Sequence, residues 1–203
     1  MNSEKARFFD SHARGWDSSE PPDMNDRLRR VAREADVRPG MLVLDVGTGT
    51  GALIPHLIDA ARDSGRITAI DISGEMLAAA RAKGFSSRVE FVLVSMEEFE
   101  CPESTYDRVL CNAVFPHFAD KDLALRRAFS ALKPGGVLVI SHPKGREAVN
   151  RIHREAGGIV AEDRVPAPES MLRILEEAGF VDREVIDEPD FYLARASKPP
   201  TAR

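Results

Sequence analysis

The chain has 203 residues, enough for one α/β domain with a sizeable core and short additions. Apolar residues make up 43% and charged residues 30%, and no apolar run nears the ~18 residues of a membrane span, so no membrane partner is expected. A net charge of −5 argues against a nucleic-acid-binding surface. The two cysteines, Cys101 and Cys111, are too few for a disulfide framework, which points to a reducing, cytoplasmic setting.

Residues 1–36 precede the first expected strand and are predicted to form a helical lid segment. Residues 4–16 place Phe8, Phe9, His12 and Trp16 at roughly helical spacing. Residues 18–22 break that pattern, and residues 25–35 read as a short, arginine-rich helix. The aromatics either staple the segment to the domain or close it over a ligand. Residues 37–197 are expected to form the main domain.

Residues 41–46 are apolar except for Asp45 and follow Pro39-Gly40, so they are predicted to be a buried strand. Gly47-Thr48-Gly49-Thr50-Gly51 comes next, then a helix over 52–61 with Leu53, Leu57 and Ile58 on one face. Strand, glycine-rich turn and helix open a nucleotide-binding βαβ unit. A second apolar run, 67–70, ends in Asp71 about twenty residues after Gly51, where a carboxylate can accept hydrogen bonds from ribose hydroxyls.

The glycines do not choose the nucleotide, because Gly47-x-Gly49-x-x-Ala52 also fits a dinucleotide site. Asp45 discriminates. A dinucleotide rests its pyrophosphate on the helix N-terminus. A carboxylate beside it would cost of order 1 kcal/mol or more. S-adenosylmethionine carries an ammonium and a sulfonium and no phosphate, so an acid at the turn suits it. The bland alternative is a plain βαβ turn with a capping aspartate.

Ser73 is a candidate N-cap for a helix running to Lys83 and stopped by Gly84. Residues 89–94 are the third strand, followed by Ser95-Met96-Glu97, and an adenine base fits between Ile72 and Met96. The alternative for Met96 is core filler. Residues 106–111 are the fourth strand, and residues 112–118 the loop after it. Asp120 caps a helix to Leu132, Lys133-Pro134-Gly135-Gly136 is a stop and turn, and residues 137–140 are the fifth strand. Residues 144–168 read as an insertion. A helix over 169–178 then leads to strands 180–186 and 191–196, a hairpin. Residues 198–203 are expected to be a disordered tail.

Five strands alternating with helices, plus a hairpin, predict an α/β, doubly wound, mostly parallel sheet with helices on both faces. Ligands in such sheets lie at the strands' C-terminal ends. Asp45, Asp71, Ser95, Asn112 and His142 all fall there.

With these residues in place, the chain resembles the class I S-adenosylmethionine-dependent methyltransferases over nearly its whole length. The stretches that carry the likeness are residues 43–51, Ile70-Asp71-Ile72-Ser73 and Leu132-Lys133-Pro134-Gly135-Gly136. Phe9-Asp10-x-x-Ala13-x-x-Trp16-Asp17 is similar to the N-terminal segment of small-molecule members, quinone C-methyltransferases included. The resemblance implies a seven-stranded sheet of order 3-2-1-4-5-7-6 with strand 7 antiparallel. It implies that the glycine turn holds the methionine end of the donor and Asp71 the ribose. The donor set it implies is Trp16, Asp45, Gly47, Thr48, Gly49, Asp71, Ile72, Met76, Ser95, Met96, Glu97 and Asn112. Where the family usually has an aspartate for the adenine amino group, this chain has Ser95, with Met96 backbone and Glu97 as substitutes.

Methyl transfer by direct in-line displacement requires the acceptor to be aligned and, where needed, deprotonated. His117 and His142 follow the fourth and fifth strands and are the candidate bases; a turn histidine without a catalytic role is the alternative. Joint metal binding by His117, His142 and His153 lacks a ligand spacing, so no metal is expected. Lys144, Arg146, Arg151, His153 and Arg154 leave two readings open: a pocket for an anionic acceptor, or a solvated helix with pairs such as Arg151–Glu155. Phe115, Phe118, Trp16 and Tyr192 are candidates for an apolar wall. The expected function is methylation of a small molecule. A macromolecule-directed methyltransferase, a non-catalytic donor-binding protein and a nicotinamide oxidoreductase are the alternatives, the last disfavoured by Asp45. Monomer and homodimer both remain open.

Overall fold

A computed structural model describes residues 3–19 and 21–201. Ser3–His12 forms α1, followed by a 3-10 turn, Trp16–Ser19. Met24–Glu34 is α2, Leu42–Val46 β1, Ile54–Ala61 α3, Arg66–Asp71 β2, Gly74–Ala82 α4 and Val89–Leu93 β3. Tyr106–Asn112 is β4, Lys121–Ala131 α5, Leu132–His142 β5 and Arg146–Ala156 α6. Pro168–Glu177 (α7), Val181–Glu188 (β6) and Phe191–Ser197 (β7) complete the chain.

The seven strands form one sheet in the order β3-β2-β1-β4-β5-β7-β6, as the family resemblance implied. β1 to β5 pair in parallel, and β7 runs antiparallel to both β5 and β6. Helices cover both faces, so the central strands are apolar on both sides. Val43 joins one buried cluster and Leu44 the other; Leu110 and Val109 divide in the same way, as do Val139 and Leu138. That is the period-2 alternation of a strand with two dry faces. Each such side chain contributes about 2 kcal/mol on burial.

Ser73 and Asp120 act as the N-caps the sequence predicts: Ser73 Oγ accepts from Met76 N at 3.1 Å and Asp120 Oδ1 from Leu123 N at 2.8 Å. Two expectations need correction. Lys133-Pro134-Gly135-Gly136 is not a turn ahead of β5 but its irregular first half. Leu132 already pairs with Tyr106, and a register shift precedes the pairing of Val137 with Arg108. The expected tail does not start at Lys198. Its backbone exchanges hydrogen bonds with Gly135 and Gly136 at 2.9 Å, and its Nζ donates to Leu132 O at 2.7 Å. Residues 202–203 of that tail lie outside the described residues, as do residues 1, 2 and 20 of the N-terminal segment.

The two N-terminal helices sit differently. α2 buries Met24, Leu28, Val31 and Ala32 at helical spacing and joins the cluster formed by α3 and β1. α1 is fastened by polar side chains: Lys5 to Asp163, and Asp10 to Ser73 Oγ at 2.6 Å.

Candidate active site

The turn after β1 is built for close approach. Gly47 has φ +66°, and a Cβ there would lie 2.3 Å from Val114 Cγ2. Gly49 has φ +55°, yet a Cβ there would meet nothing within 4 Å. Its outer side is open, and it lines a cavity of about 410 Å³, a size common for small-molecule sites.

Asp45 lines that cavity and is 1% exposed. Thr48 Oγ1 donates to its Oδ2 at 2.6 Å. Burial pushes the Asp45 carboxyl up to about 7; the Thr48 bond opposes this and nearby Asp71 adds to it. The acid at the turn is therefore partly protonated near neutral pH. A cation placed against it would draw the proton off.

Asp71 ties the turn to β2. Its Oδ2 accepts from Gly49 N at 2.8 Å and its Oδ1 from Ser73 N at 2.9 Å. Burial raises its pKa, and those backbone bonds oppose the rise. Asp17 joins the same end, although the sequence reading left it out of the donor set. It accepts from Thr50 Oγ1 at 2.6 Å and Lys83 Nζ at 2.7 Å. Burial opposes its ionisation, but Lys83 and Thr50 outweigh that and hold its carboxyl below the usual value. The Trp16-Asp17 pair at the end of the N-terminal motif was the signal available for it.

Trp16, Gly47, Thr48, Ile72 and Met76 line the same cavity, as do Ser95, Met96, Glu97 and Asn112. Several have partners already. Ser95 Oγ accepts from Glu98 N at 3.2 Å, and Glu97 Oε1 accepts from Ala119 N at 2.9 Å. Glu97 thus also anchors the start of α5. Asn112 Oδ1 accepts from Ser141 Oγ at 2.9 Å, linking the ends of β4 and β5.

His117 and His142 both line the cavity, and their environments separate them. His142 is 1% exposed, and neither ring nitrogen has a protein partner among the described residues. Burial, then nearby His117 and His153, push its pKa down to about 3. It is neutral near pH 7 and a weak base. His117 Nδ1 lies 2.6 Å from Asp163 Oδ2. His153, considered from the sequence only for a metal or an anionic acceptor, lines the cavity with its ring 4.8 Å from that of His117.

Much of the remaining wall is apolar, with Phe9, Met24, Leu28, Phe118, Val149 and Ile152; Thr50, Glu98, Asp120 and Lys144 are its polar members. Phe115 and Tyr192, expected in this wall, are instead fully buried in the core. Arg146 turns to Asp187 and Glu147 at 2.8 and 2.7 Å. Among the described lining residues, Lys144 is the single lysine or arginine. Among the described residues no cluster of His, Cys, Asp or Glu is arranged to hold a metal ion, and no helix is long and apolar enough to cross a membrane.

A family model described as "Methyltransferase domain" matches residues 38–179. The chain is 28% identical over 192 residues to the ubiquinone/menaquinone biosynthesis C-methyltransferase UbiE of Shewanella woodyi, covering 82% of this chain and 76% of that protein. The match to the counterpart from Vibrio campbellii covers 41% of that protein's length. Among solved structures, a SAM-dependent methyltransferase from Aquifex aeolicus superposes with a TM-score of 0.70 at 25% identity, covering 97% of both chains. The methyltransferase of a Haloferax volcanii complex with the Trm112 activator has a TM-score of 0.74 at 22% identity, covering 94% and 97%, and shows the shared fold. The order of the strands and the antiparallel β7 define a class I S-adenosylmethionine-dependent methyltransferase. The chain belongs to the methyltransferase-domain family.

The residues present fit that donor. The open side of Gly49 leaves room against the turn; Asp45 and Asp71 line the cavity there, while Lys83 is paired with Asp17 at 2.7 Å and is not itself a lining residue. A diphosphate would meet the carboxyls of Asp45 and Asp71; an ammonium or sulfonium would find partners in them.

Proposed function

We propose that the protein methylates a small, largely apolar, ring-bearing acceptor of the hydroquinone type at a ring carbon, by direct in-line transfer. The observation that carries this reading is the division of one cavity: acid and glycine at one part of its lining, apolar side chains and histidines at another. The donor, when bound, supplies an electrophilic methyl group on its sulfonium. Asp45 accepts from the cationic methionine end, and Asp71, with lone pairs left beyond its two backbone bonds, accepts from the ribose hydroxyls. Ile72 and Met96 flank the adenine.

Phe9, Leu28, Phe118 and Ile152 hold the acceptor ring and exclude water. His117 takes the proton of the acceptor hydroxyl, which makes the adjacent ring carbon nucleophilic. His142 stays neutral and forms part of the cavity lining. The UbiE relatives, named as C-methyltransferases of quinone biosynthesis, support this acceptor class. Lining by apolar groups, with Arg146 turned away, favours it over an anionic acceptor.

The test is transfer of labelled methyl from S-adenosylmethionine to 1,4-naphthoquinol, with phosphoethanolamine as the anionic comparison. The reading expects carbon-methylated naphthoquinol. Turnover of phosphoethanolamine alone would overturn it.

A further inference from the structure

His117 is useful as a base only if the correct ring nitrogen carries the lone pair, and its surroundings fix which one does. Asp163, in the loop ahead of α7, has its Oδ2 2.6 Å from His117 Nδ1. Lys5 Nζ, on α1, donates to the same carboxylate at 2.9 and 3.0 Å and to the backbone oxygen of His117 at 3.0 Å. Burial favours the protonated form of Asp163, but the bonds from His117 and Lys5 outweigh it and hold the carboxyl below the usual aspartate value. An ionised carboxylate accepts and cannot donate. The proton in the 2.6 Å contact therefore belongs to His117 Nδ1, and the lone pair of the neutral ring lies on Nε2.

We infer that Asp163, braced by Lys5, is a positioning residue. It holds His117 in the Nδ1–H tautomer, presents Nε2 to the acceptor and stabilises the imidazolium formed when a proton is taken up. This rests on the reading of His117 as the base. The neighbouring ring does not compete for the role. His153 Nδ1 lies 2.9 Å from the backbone oxygen of Asp163, so it too is a donor, but to a neutral carbonyl. Burial lowers the pKa of His153, with His117 adding to the effect. Of the two rings, it is His117 whose Nδ1 faces a carboxylate.

The brace also makes the base conditional on the N-terminal helix. Lys5 lies 158 residues from Asp163 in the chain, and Phe9 of the same helix meets the His117 ring edge-on at 5.1 Å. Docking of α1 completes both the wall and the dyad. The charged and titratable groups around this point are Lys5 from α1, Lys121 from α5, His142 from β5, His153 from α6, and Asp163 with Arg164.

The test is long-range proton–nitrogen correlation on the full chain labelled with ¹⁵N-histidine, the His117 signals assigned by their loss in His117→Gln. At pH 8 the wild type is expected to show protonated Nδ1 and unprotonated Nε2 at His117, and Asp163→Asn to shift that ring toward the Nε2–H form. A wild-type His117 in the Nε2–H form, or an unchanged tautomer in Asp163→Asn, would overturn the inference. The wild-type spectrum decides even if the variant does not fold. With 1,4-naphthoquinol as acceptor, Asp163→Asn should lower kcat about 100-fold with KM within twofold of wild type; a matching change in KM with kcat intact would contradict a positioning role. The spectrum needs neither donor nor acceptor, so it fails or succeeds separately from the methyl-transfer reading, which the naphthoquinol assay tests on its own.

Discussion

The two ends of the cavity are built by different means. Around the glycine turn, backbone amides do much of the work: Asp71 is held by Gly49 N and Ser73 N, both within 22 residues of it. Around the histidines, side chains from distant segments meet: Lys5, His117, His153 and Asp163 come from α1, the loop after β4, α6 and the loop ahead of α7. A turn fixed by backbone geometry can be shared by a whole family, because it depends on few side chains. An assembly of long-range side chains can change its acceptor without disturbing the donor.

If the two ends are separable, substitutions should divide cleanly. The largest effect is expected at the histidine end: His117→Gln should lower kcat for methyl transfer about 100-fold while leaving adenosylhomocysteine affinity within twofold, read by steady-state kinetics and calorimetry. A loss of both would merge the two ends. Next, Asp71→Ala removes bonds to a charged acceptor worth roughly 1.5–3 kcal/mol, so the adenosylhomocysteine Kd should rise at least about tenfold. Within the turn, Gly47→Ala and Gly49→Ala sharpen the contrast. Both have positive φ, but a Cβ at Gly47 collides with Val114 while one at Gly49 meets no atom within 4 Å. Gly47→Ala should cost at least about 2 kcal/mol of stability by thermal unfolding. Gly49→Ala should cost about 1 kcal/mol and act mainly on donor affinity. The smallest effect is expected at Arg146, whose guanidinium faces Asp187 and Glu147. Arg146→Ala should leave KM within about twofold, since the pair it breaks is a surface one; a larger rise would revive the anionic acceptor.

The same division explains what could be read in advance. Apolar runs marked the central strands, because burial on both sheet faces leaves them nearly continuous in apolar residues; the edge strand β6, half-exposed and rich in charge, was legible only as one arm of the hairpin. The caps at Ser73 and Asp120 are local and were legible for that reason. The start of β5 was not. Pro134-Gly135-Gly136 carries the residues of a turn, and what keeps it in the sheet is the return of Lys198 from the far end of the chain. Asp163 had no signal either, since nothing near it in sequence shows that it will meet His117, 46 residues away. The arginine-rich appearance of α2 hid its buried stripe of Met24, Leu28, Val31 and Ala32, which puts it in the core beneath the site.

The central claim is electrostatic: a buried acid at the glycine turn receives a cation. Asp45 has its pKa raised to about 7, above the ordinary carboxylate value of its unfolded form. It therefore favours the folded state at low pH, and that contribution is lost as pH rises from about 4 through 7. Donor binding runs the opposite way, because a cation binds the ionised form. Calorimetric titration with adenosylhomocysteine at pH 6 and pH 8 measures this directly. The account predicts affinity about tenfold higher at pH 8, with the dependence abolished in Asp45→Asn. Affinity that is flat across that range in the wild type, or tight binding of NAD in place of adenosylhomocysteine, would contradict it.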